Sequence, residues 1–280
     1  MQIINALSID WEYWWCNRFL GKVAEKETNS IIESSIQLLN LLDKYNAKAT
    51  FFILGITAEE HPEIVEEIFK RGHEIACHGY SHKSLFEITE KEFEEEIKKS
   101  LNIFKKYDVK GFRAPYFSIN NSNSWVFRIL KKYGFEYDSS IFPTNLTYNG
   151  VLNAPISIYK PSNTNIKKHD PKETIIEFPL TCLKFGITNI PLAGGFYLRI
   201  LPLWFLKSGI KKVNSNRPAV LYLHPWEIYK KTPKLNILSY PPRITAYVGI
   251  NSLSKKFEEI LREFRFKTIK DVLDSFYQSS

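Results

Sequence analysis

The sequence predicts an α/β chain in which mostly parallel strands alternate with helices and wind toward a (β/α) barrel. Three observations carry this expectation. Short β-branched and apolar runs recur along the 280 residues, and segments with helical spacing of apolar positions separate them. The order strand then helix repeats four times in the first half of the chain, and six or seven such units favour a barrel over an open sheet. Finally, the chemically versatile polar residues fall directly after strands, the end at which parallel barrels assemble their sites.

The first strand is expected over 2–10 (QIINALSID), ending in an acid. Asn29 or Ser30 then caps a helix with Ile32, Ile36, Leu39 and Leu42 at helical spacing, ending by Tyr45. A strand follows over 47–54, and a helix opens at Thr57 or Ala58, with Ile64, Val65 and Ile68 on one face and Gly72 as its stop. The third strand, HEIAC over 73–77, runs directly into HGYSH. Thr89 and Glu92 make a capping box for a helix ending near Tyr107.

Strand 109–113 leads into APYF, a helix from Ser122 or Asn123 to Tyr133 stops at Gly134, and FEYD is a strand over 135–138. Residues 143–174, rich in Asn, Pro, Lys and Thr, read as an inserted loop containing a hairpin. TIIEFPL then gives a strand, 201–214 a helix, 218–224 a buried strand and 252–264 a last helix before a short FKTIKDVL terminus. No internal repeat and no linker divide the chain, so 1–280 reads as one barrel.

Composition narrows the function classes. A hydrophobic fraction of 44% supports a large core, and charges are interspersed rather than gathered in a disordered tail. The three cysteines, Cys16, Cys77 and Cys182, have neither disulfide-framework nor CxxC spacing. The N-terminus lacks the pattern of a secretory signal and no apolar run reaches a membrane span, so a cytoplasmic location is expected. The net charge of +8 comes from dispersed Lys and Arg without a nucleic-acid motif. It predicts no nucleic-acid partner, but allows peripheral attraction to an anionic glycan or to the inner membrane face.

Asp10 and Glu12 follow the first strand, His78 and His82 the third, Arg113 the fourth, Asp138 the fifth and His224 a late one. In a parallel barrel these residues reach one face. His78 and His82, four apart, have the separation that puts two imidazoles on one side of a helical turn, and a carboxylate from another strand completes a three-ligand set with open positions. Oxygen and nitrogen donors suit zinc, and also iron, cobalt or nickel. His61, His73 and His169 read as structural residues. Trp11, Trp14, Trp15 and Trp226 crowd strand ends, where they either form an aromatic wall for a sugar or pack in the core.

The series SIDWE, HGYSH, FRAPYF, YDSS and LYLHPWE, in this order, resembles the polysaccharide deacetylases of the NodB-homology class. The stretch GGFYLRILPLWFLKSGIKKVN, with HPWEI and the final FRF, resembles the C-terminal extension, from about residue 194, of the branch associated with exopolysaccharide synthesis. The resemblance implies a distorted, incompletely closed (β/α) barrel of about seven parallel strands. It also implies metal-dependent removal of N-acetyl groups from an amino-sugar polysaccharide or its lipid-linked precursor. Asp10 is then the base, Glu12, His78 and His82 hold one divalent ion, expected to be zinc, and Arg113 orients Asp10. The Tyr116 N–H serves the oxyanion, Pro115 fixes that loop, and His224 is the general acid. Trp11, Trp14, Pro115, Trp226 and Asp138 are expected around the substrate, with Asp138 supporting His224 or lining the pocket.

The chain departs from the family in its first motif, which usually has two adjacent aspartates. Here Trp11 separates Asp10 from Glu12, and strand alternation still puts the two acids on one side. Two other readings share these residues. One is an allantoinase-like amidohydrolase acting on a small amide, and the other a non-catalytic glycan- or lipid-carrier-binding protein.

Overall fold

A computed structural model of the chain describes residues 3–21, 26–235 and 242–278. The expected first strand begins at residue 2, which lies outside the described residues, and the strand observed is β1 (Ile4–Trp11). It is followed by α1 (Ser30–Lys44), β2 (Thr50–Ile53), α2 (Gly55–Glu60), α3 (Pro62–Lys70), β3 (Glu74–Cys77), α4 (Glu90–Ile103) and β4 (Gly111–Phe112). Then come α5 (Trp125–Lys132), β5 (Tyr137–Asp138), β6 (Pro161–Ser162), β7 (Asn165–His169), β8 (Ile176–Glu177), β9 (Cys182–Phe185) and β10 (Thr188–Pro191). The remainder is α6 (Gly195–Ile200), α7 (Leu203–Val213), β11 (Val220–Leu223), α8 (Pro225–Ile228), α9 (Pro242–Tyr247), α10 (Ile250–Glu263), β12 (Arg265–Lys267) and α11 (Ile269–Gln278).

The main sheet runs in the order β11-β1-β2-β3-β4-β5-β8, with β12 also paired to β1. Its pairs β1/β11, β1/β12, β3/β4, β4/β5 and β5/β8 are parallel. The row has two ends, so the (β/α) barrel is open, as expected. Chain contacts divide it into two compact units, one of Met1–Thr50, His61–Glu74 and Leu192–Ser280, the other of Phe51–Glu60 and Ile75–Pro191.

In the first unit β1 pairs through Ala6–Ile9 with Val220–Leu223 of β11, and its Ile4–Ala6 pair with β12. Asn5, fully buried, satisfies its amide by exchanging hydrogen bonds with Asn214 and accepting from Ala219 N–H. Helix α10 buries Ile250, Leu253, Phe257, Ile260 and Leu261, the stripe expected of a helix packed on one face. The second unit has its own core, in which Phe93, Phe112, Ile97, Val126 and Leu130 pack together. Each such side chain, fully buried, contributes roughly 1.5–3 kcal/mol.

Local chemistry explains where the elements differ from expectation. The helix expected across 58–72 is broken into α2 and α3, because Pro62 lacks an N–H and forces His61 out of helical geometry, to φ −134° and ψ 56°. The capping box forms as predicted: Glu92 N–H donates to Thr89 Oγ1, and Thr89 N–H donates to Glu92 Oε2. The loop over 143–174 carries the antiparallel β6/β7 pair. A second hairpin, β9/β10, was not anticipated; it turns at Gly186, whose φ of 59° suits glycine. The FKTIKDVL terminus, to which no element was assigned, takes part in β12, edge-paired to β1, and in α11.

Candidate active site

Alternation along β1 sends successive side chains to opposite faces. Trp11 is fully buried and its Nε1 donates to Ser35 Oγ of α1 at 2.7 Å. This sets Trp11 in the core, correcting the expectation of a sugar contact, and leaves Asp10 and Glu12 on the other face. Both acids are buried, at 2% and 4% exposure. Trp14 and Trp226 are buried in one apolar cluster with Leu20, Ala246 and Ile250. The Trp226 ring also stacks on His224, 5.4 Å between centroids, so it supports that imidazole from beneath.

His224 ends β11 and precedes α8, which begins at Pro225. Its Nε2 lies 3.4 Å from Glu12 Oε1 and its Nδ1 lies 2.8 Å from Glu227 Oε2. Burial alone would pull the imidazole pKa down. The carboxylates of Glu227, Glu12 and Asp10 outweigh that effect and push it up to about 9. Burial would raise the Glu227 carboxyl, but His224 and Arg199 hold it below its usual range. Arg199 Nε is 3.1 Å from Glu227 Oε1, and its guanidinium also donates to the carbonyls of Thr245, Ala246 and Val248. Sequence reasoning did not single out Glu227 or Arg199. The signal was present in HPWE, where a proline at the first helical position and an acid three residues after His224 mark a cap.

In the second unit His78 follows β3, and its Nδ1 lies 2.8 Å from the Arg113 carbonyl. Nδ1 therefore carries the hydrogen, and Nε2 presents a lone pair. His82 sits in a left-handed conformation, φ 60°, with its ring 5.5 Å from His78 and 4.4 Å from Tyr116. The expected helical turn is thus corrected: Gly79, φ 78°, and His82 break it. The loop is shaped instead by Glu96 of α4, whose carboxylate accepts from Tyr80 N–H, Ser81 N–H and Ser81 Oγ at 3.1, 2.8 and 2.8 Å.

Arg113 is fully buried, donating from Nε to the Ser139 carbonyl at 2.8 Å and from Nη2 to Ser139 Oγ at 3.0 Å. Its guanidinium lies 4.1 Å from the Phe52 ring centroid. Pro115 is buried, and Tyr116 and Phe117 follow with φ of 57° and 55°. Two adjacent non-glycine residues in this region store backbone strain, a feature that concentrates at functional loops. Asn149 Nδ2 holds the Tyr116 carbonyl at 2.7 Å.

Asp138 is fully buried and offers no surface to a sugar, which corrects the expectation that it lines the pocket. Nor is it the carboxylate bonded to His224 Nδ1, a place that Glu227 takes. Its Oδ1 accepts from Ser140 Oγ at 2.6 Å, and Glu177 Oε1 accepts from Ile141 N–H at 2.9 Å. Asp138 and Glu177 are partners in the β5/β8 register. Burial, then the Asp138 charge, raises the Glu177 pKa well above its ordinary value, and burial raises that of Asp138 as well. The histidines read as structural are bonded locally: His73 Nδ1 accepts from Ala49 N–H, His169 Nδ1 from Lys160 N–H, and His61 lies edge-on to Tyr13. Cys16, Cys77 and Cys182 are buried and form no disulfide.

Glu12, His78 and His82 each offer a ligand atom, all within 4.8 Å of one another. Two imidazoles and a carboxylate suit zinc and related divalent ions, and the Arg113 carbonyl fixes the His78 tautomer that such a role needs. The residues fit a divalent metal.

Comparison with known proteins gives a consistent result. Residues 32–137 match the polysaccharide deacetylase family profile, and 139–274 match a domain of unknown function, DUF3473. A peptidoglycan deacetylase of Helicobacter pylori is 34% identical over 114 residues, 40% of this chain and 38% of that protein. A peptidoglycan-N-acetylglucosamine deacetylase of Bacillus cereus is 40% identical over 99 residues, 34% of this chain and 36% of the relative. Chitin deacetylase 1 of Saccharomyces cerevisiae is 34% identical over 130 residues, 44% and 42% of the two chains. The chain thus matches less than half the length of these relatives.

Among solved structures, a candidate polysaccharide deacetylase from Mycobacterium smegmatis superposes with a TM-score of 0.60 at 18% identity, over 100% of this chain and 93% of that one. BA3943, a CE4 family pseudoenzyme from Bacillus anthracis, gives 0.52 at 14% identity, over 97% and 66%. These two likenesses speak to fold alone. Residues 32–137 are thus similar to the polysaccharide deacetylases, the class to which the motifs point, and residues 139–274 match DUF3473.

Proposed function

We propose that the protein is a metal-dependent hydrolase that removes N-acetyl groups from an amino-sugar glycan. The observation that carries this reading is the convergence of Glu12, His78 and His82. When bound there, a divalent ion supplies Lewis acidity to the acetyl carbonyl and to a water molecule. Asp10, buried on the same face of β1 as Glu12, takes the proton from the attacking water. The Tyr116 N–H donates to the oxyanion as the carbonyl carbon becomes tetrahedral, a donor typically worth about 3–4 kcal/mol. His224 Nε2 then gives a proton to the departing nitrogen. Water adds to the acetyl carbon, the C–N bond breaks, and acetate and a free amine leave.

Arg113 organises this machinery through its backbone carbonyl on His78 and its guanidinium on Ser139. The kinship with peptidoglycan and chitin deacetylases supports an N-acetylated glycan as the substrate class. We extend the proposal to a lipid-linked precursor in exopolysaccharide synthesis, handled in the cytoplasm at the inner membrane face. In support, residues 178–226 contain no Asp or Glu, and Phe185 and Ile187 are exposed at the β9/β10 turn. Among the described residues no helix is long and apolar enough to cross a membrane.

The test is acetate release from N-acetylglucosamine oligomers and from lipid-linked N-acetylated sugars, by wild-type protein and by Asp10→Asn. Release by the wild type alone is expected. A zinc-loaded wild type that releases no acetate from either substrate would rule the reading out.

A further inference from the structure

We propose that Asn149 is a positioning residue: its side-chain amide pins the Tyr116 carbonyl and so keeps Tyr116 in the left-handed conformation that aims its N–H. The proposal rests on the oxyanion role given above to that N–H. Asn149 Nδ2 lies 2.7 Å from the Tyr116 carbonyl oxygen. A carbonyl only accepts, so of the two ends of the amide it is the NH2 that must face it. Tyr116 and Phe117 stand at φ 57° and 55°, where a side chain crowds the following carbonyl. Two adjacent residues of this kind persist only where their surroundings over-determine them.

Neighbouring carbonyls of this turn are held locally. That of Ala114 accepts from Phe117 N–H at 3.0 Å, and that of Pro115 from Ser118 N–H and Ser118 Oγ at 3.2 and 2.6 Å. The Ser118 carbonyl accepts from Asn123 Nδ2 at 2.8 Å. The Tyr116 carbonyl instead takes a donor 33 residues along the chain, and a closed loop presents it. Val151 N–H donates to the Phe142 carbonyl at 2.8 Å, Thr144 Oγ1 to the Asn189 carbonyl and Asn189 Nδ2 to the Pro143 carbonyl, both at 2.6 Å. Gly150 permits the closure, since an added Cβ would stand 2.0 Å from the Thr144 carbonyl oxygen. At the base of the loop, buried Phe142 meets the Phe117 ring edge-on, 6.0 Å between centroids. All these residues belong to the unit that contains Ile75–Pro191. Asn149 falls in the DUF3473 match and Tyr116 in the deacetylase match, so a side chain of the one holds the motif loop of the other.

Without this hold the peptide between Tyr116 and Phe117 can turn over. That would leave Tyr116 at positive φ with an extended ψ, a region essentially reserved for glycine, so Tyr116 would move to negative φ as well. Rotation about φ swings the ring and the carbonyl relative to the N–H, and the ring lies 4.4 Å from that of His82. The N–H then no longer points where the oxyanion develops, and a donor of this kind acts only when preorganised. Aspartate at 149 keeps the shape of asparagine but, when ionised, has acceptors only, so it sets acceptor against acceptor at the Tyr116 carbonyl. A residue needed only to fill space would tolerate that exchange.

The experiment is NMR of the full chain labelled with carbonyl-13C tyrosine and 15N phenylalanine. Tyr-Phe occurs once in the sequence, at 116–117, so an HNCO spectrum reports the Tyr116 carbonyl alone. Relative to wild type, its carbon is expected to move upfield in both Asn149→Ala and Asn149→Asp, the direction in which a carbonyl that loses a donor shifts. The kinetic arm rests on the deacetylase reading and uses penta-N-acetylchitopentaose. In it both variants should lower kcat on the order of 10-fold with KM unchanged, the uncharged alanine separating loss of the donor from added charge. A Tyr116 carbon that stays in place in both variants, or an aspartate variant with wild-type kcat, overturns the proposal. So does a crystal structure of the wild type in which Asn149 turns away from the Tyr116 carbonyl, a result that needs no variant to fold. Should the wild type release no acetate, the deacetylase reading falls, and the carbonyl shift still decides whether Asn149 holds this loop.

Discussion

Replacing Glu177 with glutamine tests whether the buried Asp138/Glu177 pair stores a proton. In the wild type Glu177 Oε1 accepts from Ile141 N–H, and burial together with the neighbouring Asp138 charge raises the Glu177 pKa, which favours a hydrogen on its second oxygen facing Asp138. Glutamine mimics the protonated acid: its carbonyl oxygen can accept from Ile141 and its NH2 can donate to Asp138. The sign follows from linkage. The Glu177 pKa is raised on folding from an ordinary 4.5, so its contribution is full below pH 4.5 and is lost as pH rises toward the folded value. Over that window each pH unit removes up to about 1.4 kcal/mol from the wild type and nothing through residue 177 from the variant. Urea unfolding of both proteins at intervals from pH 5 to 8 measures it. The stability of Glu177→Gln relative to wild type should rise with pH, by up to about 1.4 kcal/mol per unit. A difference independent of pH would refute a proton held on Glu177.

Further substitutions probe other parts of the account. Arg113→Lys keeps the charge but loses the forked donation to Ser139, and should cost about 1–3 kcal/mol in urea unfolding together with most of the acetate release. Thr89→Ala removes the α4 capping box and should cost about 1 kcal/mol by the same measurement, with activity unchanged. Because the His224 pKa is raised to about 9, the acid form persists at neutral pH. The basic limb of kcat/KM should therefore fall between the ordinary value of about 6.5 and about 9. A limb below about 6 would contradict the assignment of His224 as the acid.

What the sequence made legible was set by the range of each interaction. Alternation and helical spacing are local, so β1, α1, α4 and α10 were recognisable, as was the Thr89 cap. The site residues at strand ends were legible for the same reason, since a parallel arrangement assigns them a common face. Relations that depend on a distant partner were hidden. Trp11 looks like a sugar contact until Ser35 is found against its Nε1, and Asp138 looks available until its β-register partner Glu177 encloses it. The HGYSH spacing suggests a helical turn, yet Glu96, on a helix that begins eight residues after His82, takes the backbone N–H groups and leaves His82 left-handed. Two-residue strands such as β4 and β5 exist only through their neighbours, so apolar runs overstate their length.

Metal stoichiometry tests the central claim most directly. Elemental analysis of the purified protein, after incubation with zinc and removal of the excess, should give about one metal per chain, and His78→Ala/His82→Ala should give none while remaining folded by circular dichroism. No bound metal in the wild type, or equal amounts in the wild type and the double variant, would contradict a centre built from Glu12, His78 and His82.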